Sequence, residues 1–510
     1  MPEYLAPGVF IEEIERGPKP IEGVATSTTA FLGATERGPV KPKLVTSYNE
    51  YLRHFGDIFS REDYMPYAVR GFFDNGGRRC YIARIVGDNA DTAEVVLGDF
   101  TIRAVGPGEA HNRTWVRIRP GTTEDKNGNS IGFRLQVWYW DKPNENVPFD
   151  PDLTDPPGPP PDRSEDFDDL SVDPDSQSYY DKVVNNGNSA FIEIPVDPAN
   201  PVVALPTDTQ QGALADGTPW VRPLTPNNYL GSVTDPERPS GIRALELDQY
   251  REIAIVHAPA AADIIADEVI KHCENNRFRF AVVDAQANQQ PSGLVPRNRW
   301  DTKYAAFYSP WLYVSDPRSG GRVKIPPGGA MCGIYALTDN TRGVWKAPAN
   351  ETVAGAIDLE YHITTGTQDN MNPRGVNAIR QFPGRGIRVW GARTLSSDPL
   401  WKYVNVRRLF IFLEASIYNS TQWVVFEPND QRLWARVKQT VTLFLRTQWR
   451  EGALFGAKEE EAFSVAVGRE TMTEDDILNG RLIIEIGVAP VRPAEFVIFR
   501  IYQKTQEAKS

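Results

Sequence analysis

Unbroken apolar runs and helical stripes alternate along the second half of the chain. "REIAIVHAPA" (251–260) and "FRFAVVDA" (278–285) are continuous apolar segments, and "AADIIADEVIKHCENN" between them sets Ala262, Ile265, Val269 and Cys273 on one helical face. Strands without polar alternation are buried on both sides, so the pattern predicts a βαβ unit in a mostly parallel or mixed sheet. "AAFYSPWLYVSD" (305–316) predicts a third strand and "PPGGAMCGIYALTDNTRGVWKAPANE" (326–351) a closely packed helix. A Gly/Asn-rich passage (366–386) then leads into a strand at "GIRVWGART" (386–394). Residues 26–87 repeat the theme with a strand at "TTAFLGAT" and a helix capped by Ser47 with Glu50 at the capping-box position. A second helix follows in "REDYMPYAVRGFFDNGG", then a buried strand at "CYIARIV" (80–86).

Between 88 and 240 the pattern changes to short strands separated by Pro-, Gly- and Asp-rich turns, as expected of a β-rich domain inserted into an α/β core. Its stretch 150–175 holds ten carboxylates and one arginine. That composition predicts a solvated loop facing outward, and the carboxylates lack the spacing of a calcium loop. The helix over 429–452 is framed by Asn429 as cap and Gly452 as stop. Leu433, Val437, Val441, Phe444 and Leu445 form its buried stripe, while Arg432, Arg436, Arg446 and Arg450 line another face. Both ends of the chain are extended and apolar on two faces: Val9, Phe10, Ile11 and Ile14 at one, Phe496, Val497, Ile498, Phe499 and Ile501 at the other. Such edges invite pairing with another chain, so both read as strands donated to neighbouring subunits. The resulting division is an N-terminal arm (1–25), a first part of the core (26–87), the insert (88–240), a second part of the core (241–485) and a C-terminal arm (486–510).

The 510 residues leave room for about three or four domains. Lys plus Arg number 55 against 67 Asp plus Glu, a formal charge of −12 that disfavours nucleic acid as a partner. Three cysteines cannot build a disulfide framework and indicate folding in a reducing compartment. No apolar run is long enough to span a bilayer, and no secretory leader is expected. Chemistry is sparse. Five histidines form no metal pair, and neither a phosphate loop nor a Cys/His cluster is present. His257 reads as a core imidazole and Cys332 as a packing residue. Asp284 sits where an α/β enzyme places a carboxylate, but without a partner group nearby. No catalytic, cofactor-binding or metal residue is assigned.

"APGVFIEEIERGPKPIEGVATSTTAFLGATERGP" (6–39), "FEPNDQRLWARVKQTVTLFLRTQWREGALFG" (426–456) and "EDDILNGRLIIEIGVAPVRPAEFVIFRIYQ" (475–503) resemble contractile tail sheath proteins of phage tails and related injection systems. The resemblance covers roughly 1–86 and 240–505. It implies a non-enzymatic structural subunit that forms six-fold rings stacked helically around an inner tube and contracts to drive that tube through a target envelope. The implied partners are further copies of the chain, the tube protein, baseplate and terminal cap proteins, and a paralogous sheath protein. No cofactor is implied. The particle would be assembled in the producer cytoplasm as part of a virion tail or a phage-tail-like machine. On this reading the two arms link neighbouring subunits, and the arginine face of 429–452 turns towards the tube.

Overall fold

The computed structural model describes residues 20–500 apart from 61, 145, 186 and 200. The chain divides into two compact units, residues 25–407 and a second composed of the chain up to 24 together with 408 onward. In the larger unit, β1 (Thr29–Gly33), β2 (Lys43–Val45), α1 (Tyr48–Phe55), α2 (Met65–Asp74) and β3 (Cys80–Arg84) come first. Seven strands follow: β4 (Glu94–Leu97), β5 (Phe100–Ala104), β6 (Thr114–Pro120), β7 (Phe133–Tyr139), β8 (Arg163–Leu170), β9 (Ile192–Glu193) and β10 (Gln210–Ala213). The chain then runs through β11 (Ile255–His257), α3 (Asp263–Asn276), β12 (Phe280–Asp284), β13 (Ala305–Ser309), β14 (Leu312–Ser315) and β15 (Arg322–Ile325). It closes with α4 (Gly328–Arg342), β16 (Ala356–Leu359), β17 (Val376–Phe382) and β18 (Gly386–Val389). The helix α5 (Val404–Ser420) leads into the smaller unit, with α6 (Gln431–Arg450), β19 (Phe463–Val467) and β20 (Ile484–Val488).

The main sheet has eight strands in the order β18-β17-β13-β12-β11-β1-β3-β2. Its six inner strands are parallel, and β18 and β2 close the edges antiparallel. Alternate residues of each buried strand serve opposite faces. Ala30, Leu32, Val256, Ala281 and Val283 pack with Ile265, Val269, Ile270 and Cys273 of α3. On the other face Phe31 meets Phe72 of α2 edge-on at 5.5 Å, and Phe280 meets Tyr335 of α4 at 6.3 Å. The helices α2 and α4 approach closely through glycines: a Cβ on Gly329 would lie 2.4–2.7 Å from the Ala68 backbone, and one on Gly333 2.5 Å from the Phe72 carbonyl oxygen. Among the described residues no helix is long and apolar enough to cross a membrane.

Residues between β3 and β11 build a four-stranded sheet (β10-β6-β7-β8) and a three-stranded one (β4-β5-β9) around a separate apolar cluster. This segment shares a compact unit with the main sheet, and buried arginines show why. The Arg84 guanidinium, 1% exposed, donates to the Gly38 and Pro107 carbonyl oxygens at 2.7 Å each. Burial lowers its pKa to about 9, so it keeps its charge at neutral pH. Arg113 donates to Glu36 at 2.6 Å, to the Tyr139 hydroxyl at 2.8 Å and to the Asp141 carbonyl at 2.6 Å. Arg37 lies over the Tyr139 ring at 4.4 Å and donates to the carbonyls of Leu52 and Arg53.

Several expectations change in detail. The acidic stretch 150–175 is not loop throughout, because Arg163–Leu170 forms β8 at the edge of the four-stranded sheet. Its carboxylates find cations on other elements: Arg134 of β7 donates to Asp166 at 2.8 and 2.6 Å, and Arg53 of α1 to Glu165 at 3.1 Å. The run 305–316 is two strands in different sheets, divided at Pro310, which has no amide to offer a ladder. The Gly/Asn-rich passage 366–386 contains β17, an inner strand of the main sheet. Ser47 caps α1 as expected, but Glu50 accepts from the Thr46 amide and hydroxyl, so the capping box is half formed. Ala262 precedes α3 as an exposed N-cap and stands outside its buried face.

Gly329→Ala is expected to lower the melting temperature of the full chain, with a destabilisation of about 1–3 kcal/mol from overpacking against backbone. Gly366→Ala, where an added Cβ meets nothing within 4 Å, serves as the control and is expected to leave the midpoint near its starting value. Equal midpoints for the two variants in a thermal melt would show that α2 and α4 separate easily.

Candidate assembly surfaces

In the smaller unit the buried face of α6 consists of Leu433, Val437, Thr440, Val441, Phe444, Leu445 and Gln448, so all five stripe residues read from the sequence are buried. The cap is Asp430, whose side chain accepts from the amides of Arg432 and Leu433 at 2.9 Å each. Asn429 has another task. It accepts from the Trp434 indole at 2.7 Å and donates to the Arg481 carbonyl at 3.0 Å.

The helix carries five cations and no carboxylate, and its four candidate arginines differ in their surroundings. Arg446 is engaged within its own unit, donating to both oxygens of Glu459 at 2.7 and 2.9 Å. That pairing holds the Glu459 carboxyl below its ordinary value, with the Arg450 charge adding to the effect. Arg436 lies over the Trp423 ring at 4.3 Å, and Lys438 reaches Glu470 at 3.7 Å. Arg432, Arg436 and Arg450 are exposed, whereas Arg446 is half-buried. A helical wheel cannot show this division, because Glu459 and Trp423 come from segments flanking the helix.

The strands β19 and β20 form an antiparallel pair, Phe463 opposite Val488 through Val467 opposite Ile484. Among the described residues this sheet has two strands only, leaving each with one outer edge. The boundary drawn at 486 falls inside β20, and the chain stays attached a little further: the Phe455 amide donates to the Ala489 carbonyl at 2.8 Å, and the Val491 amide to that of Ala453 at 3.3 Å. Residues 492–500 take neither helix nor strand. Within them Phe496, Val497, Ile498 and Phe499 are between 69 and 84% exposed. Val9, Phe10, Ile11 and Ile14 lie outside the described residues, as does Ile501.

Residues 22–24 are anchored in a way that the sequence reading missed. The Glu22 and Val24 amides donate to the Ser420 and Ser416 hydroxyls of α5 at 3.3 and 3.1 Å. Gly23 between them packs closely on the helix, since an added Cβ would stand 3.1 Å from the Phe412 ring and displace it by a few tenths of an ångström. Two extended residues advance about 6.6 Å and one helical turn about 5.4 Å, so serines four apart match amides two apart. The signal was a pair of small hydroxyl residues at i, i+4 near the C-terminal end of the helix.

The histidine and carboxylate at the strand ends of the larger unit are buried, as are its cysteines. His257 and Asp284 side chains are 0 and 1% exposed, with Nε2 3.5 Å from Oδ2. His257 Nδ1 lies 2.9 Å from the Val282 carbonyl and donates to it. Asp284 accepts from the amides of Ala260 at 3.1 Å and Gly328 at 2.7 Å, tying the start of α4 to the strand ends. Burial pushes its carboxyl above the ordinary range. His257 is thus a neighbour of Asp284 that the sequence did not supply, and both side chains are closed to solvent. Cys80, Cys273 and Cys332 are all buried thiols, and no group of metal-ligating side chains occurs among the described residues.

Two family models match the chain: the phage tail sheath protein central domain over residues 231–395 and the phage tail sheath C-terminal domain over 396–504. A prophage protein of Pseudomonas aeruginosa (strain UCBPP-PA14) that carries the name of a major tail sheath protein is 22% identical over 228 residues. The match takes in 44% of this chain and 57% of that one, so the chain spans little more than half the length of this relative. Among solved structures, the contracted helical sheath of the anti-feeding prophage is similar with a TM-score of 0.58 and 24% identity, over 98% of this chain and 99% of that one. The contracted PVC sheath of an extracellular contractile injection system gives 0.58 and 23%, over 99 and 100% of the two chains. Likeness of this extent includes the 88–240 segment, which the sequence resemblance had left out. With the two family models spanning residues 231–504, more than half of its length, the chain belongs to the phage tail sheath family.

Proposed function

We propose that this chain is the sheath subunit of a contractile tail or injection machine, polymerising as stacked hexameric rings around an inner tube and contracting to drive that tube through a target envelope. The observation that carries the reading is the smaller unit itself: a two-stranded sheet with outer edges and an exposed apolar tail, in a tail sheath family member. A single net strand hydrogen bond contributes only about 0.5–1.5 kcal/mol. Arms exchanged between all subunits sum such contributions over a mesh, which can rearrange without coming apart. The N-terminal arm pivots about its root on Ser416 and Ser420, and the C-terminal arm begins after Val491. The work is mechanical and calls for no cofactor or catalytic residue.

On this reading the 88–240 segment is an inserted β-rich domain on the outer side of the particle. Its own core and its carboxylate-bearing edge strand support that placement. The exposed Arg432, Arg436 and Arg450 turn towards the tube, the partner for which a chain of net charge −12 would gather cations on one helix. Arg446 fixes the position of the helix through Glu459. Baseplate and cap proteins bound the stack, and the finished particle belongs to a virion tail or a phage-tail-like machine.

Removing residues 1–19, or residues 492–510, is expected to leave a folded subunit with unchanged circular dichroism that forms no long sheaths when co-expressed with its tube protein. Full-length tubes from either truncated chain in electron micrographs would sink the arm assignment. Arg432→Glu combined with Arg436→Glu is expected to reduce sheath assembled on tubes several-fold while tube-free contracted sheath still forms. Arg446→Glu is expected to lower the thermal midpoint of the subunit whether or not tube is present, because it sets a carboxylate against Glu459. If the double reversal leaves tube-bound sheath at its normal yield, the tube-facing role belongs to another segment.

A further inference from the structure

The main sheet contains a reversal of winding direction. From β1 the chain proceeds to β3 on one side, whereas β11 lies on the other side of β1 and is followed outward by β12, β13 and β17. In open parallel sheets the carboxyl ends of the strands at such a reversal are splayed by diverging crossovers, leaving a crevice that serves as a ligand site. A crevice of about 470 Å³ lies at this point, bounded by Gly33 at the end of β1 and Pro259 after β11. That volume is in the range of small-molecule pockets.

Its polar wall offers donors. The helix α2 opens on the crevice with Tyr64 and Met65 and has no side-chain cap. Of its first-turn amides, that of Met65 lies at the crevice and finds no acceptor among the described residues, while Pro66 has none to offer; the positive end of the helix dipole sits there. Tyr229 also lines the crevice and is 6% exposed, with no hydrogen-bond partner for its hydroxyl among the described residues. Asp63 brings no free charge, since Arg222 binds it through two nitrogens at 3.2 and 2.6 Å. Glu62 is exposed at the rim. Met65 and Leu224 supply apolar surface.

We propose that this crevice is a binding site for a small organic oxyanion, its carboxylate or phosphate group on the Met65 amide at the start of α2 and the Tyr229 hydroxyl and its apolar body against Met65 and Leu224. The proposal rests on the topology of the main sheet and is independent of the assembly reading. Isothermal titration calorimetry on the full-length chain with benzoate, phenyl phosphate and benzamide tests it, the three probes sharing one apolar body. Saturable binding of one of the two anions at millimolar or lower dissociation constant, at least about tenfold tighter than benzamide, is expected, and the preferred anion identifies the head group. Tyr229→Phe removes one oxygen and is expected to weaken that binding about tenfold. Leu224→Trp fills the cavity and is expected to abolish it. Absence of saturable binding by both anions, benzamide binding as tightly as they do, or undiminished affinity in Tyr229→Phe would each overturn the proposal. If Leu224→Trp does not fold, the phenylalanine variant, which keeps the ring and its packing, decides the question.

Discussion

Six parallel strands buried on both faces set the terms for the larger unit. A strand of this kind has no water on either side, so every residue needs an apolar or hydrogen-bonded neighbour above or below the sheet. The helix α3 supplies one face, and α2 with α4 the other. The second pair can lie close to the sheet and to each other only because Gly329 and Gly333 bring backbone to backbone. The buried polar groups follow from the same demand. Asp284 satisfies the Gly328 amide where α4 meets the strand ends, and Arg84 satisfies carbonyls where the 88–240 segment joins the core. Histidine and carboxylate thus occupy positions that resemble a catalytic pair while serving the packing.

Much of this was legible in the residues. The βαβ pattern around 251–285 and the stripe of the long arginine-bearing helix follow from periodicity alone, and both appear in the structure. Elements whose stability comes from elsewhere were not legible. The strand β8 carries carboxylates that no strand scale favours, and it persists because Arg134 and Arg53 stand opposite. The strand β17 hides in a Gly/Asn-rich passage, since its "VNAIRQF" core is short and gains its neighbours only when β13 is placed beside it. Pro310 is visible in the sequence, but nothing local says that the residues after it join a different sheet.

The candidate surfaces divide along the same line. Which helix carried the arginines was plain, but which arginine was already engaged depended on Glu459 and Trp423, outside the helix. The crevice at the sheet reversal is more remote still from sequence reading. Met65 and Tyr229 approach each other only because the chain makes a long excursion through seven strands and then comes back beside β1. Pattern reading finds elements; it does not find the spaces between them.

The docking of residues 22–24 on α5 has a consequence for how such a chain changes over generations. The donors there are main-chain amides, present whatever side chains residues 22 and 24 carry, while the acceptors are two specific hydroxyls. Substitutions at Glu22 and Val24 are therefore nearly silent for this contact, and those at Ser416 and Ser420 are not. Gly23 alone of the three is restricted, by the Phe412 ring beneath it. A segment held in this way can drift in composition without loosening its hold on α5. The cost of that freedom is concentrated in one helix turn, where each serine oxygen holds one of the two amides.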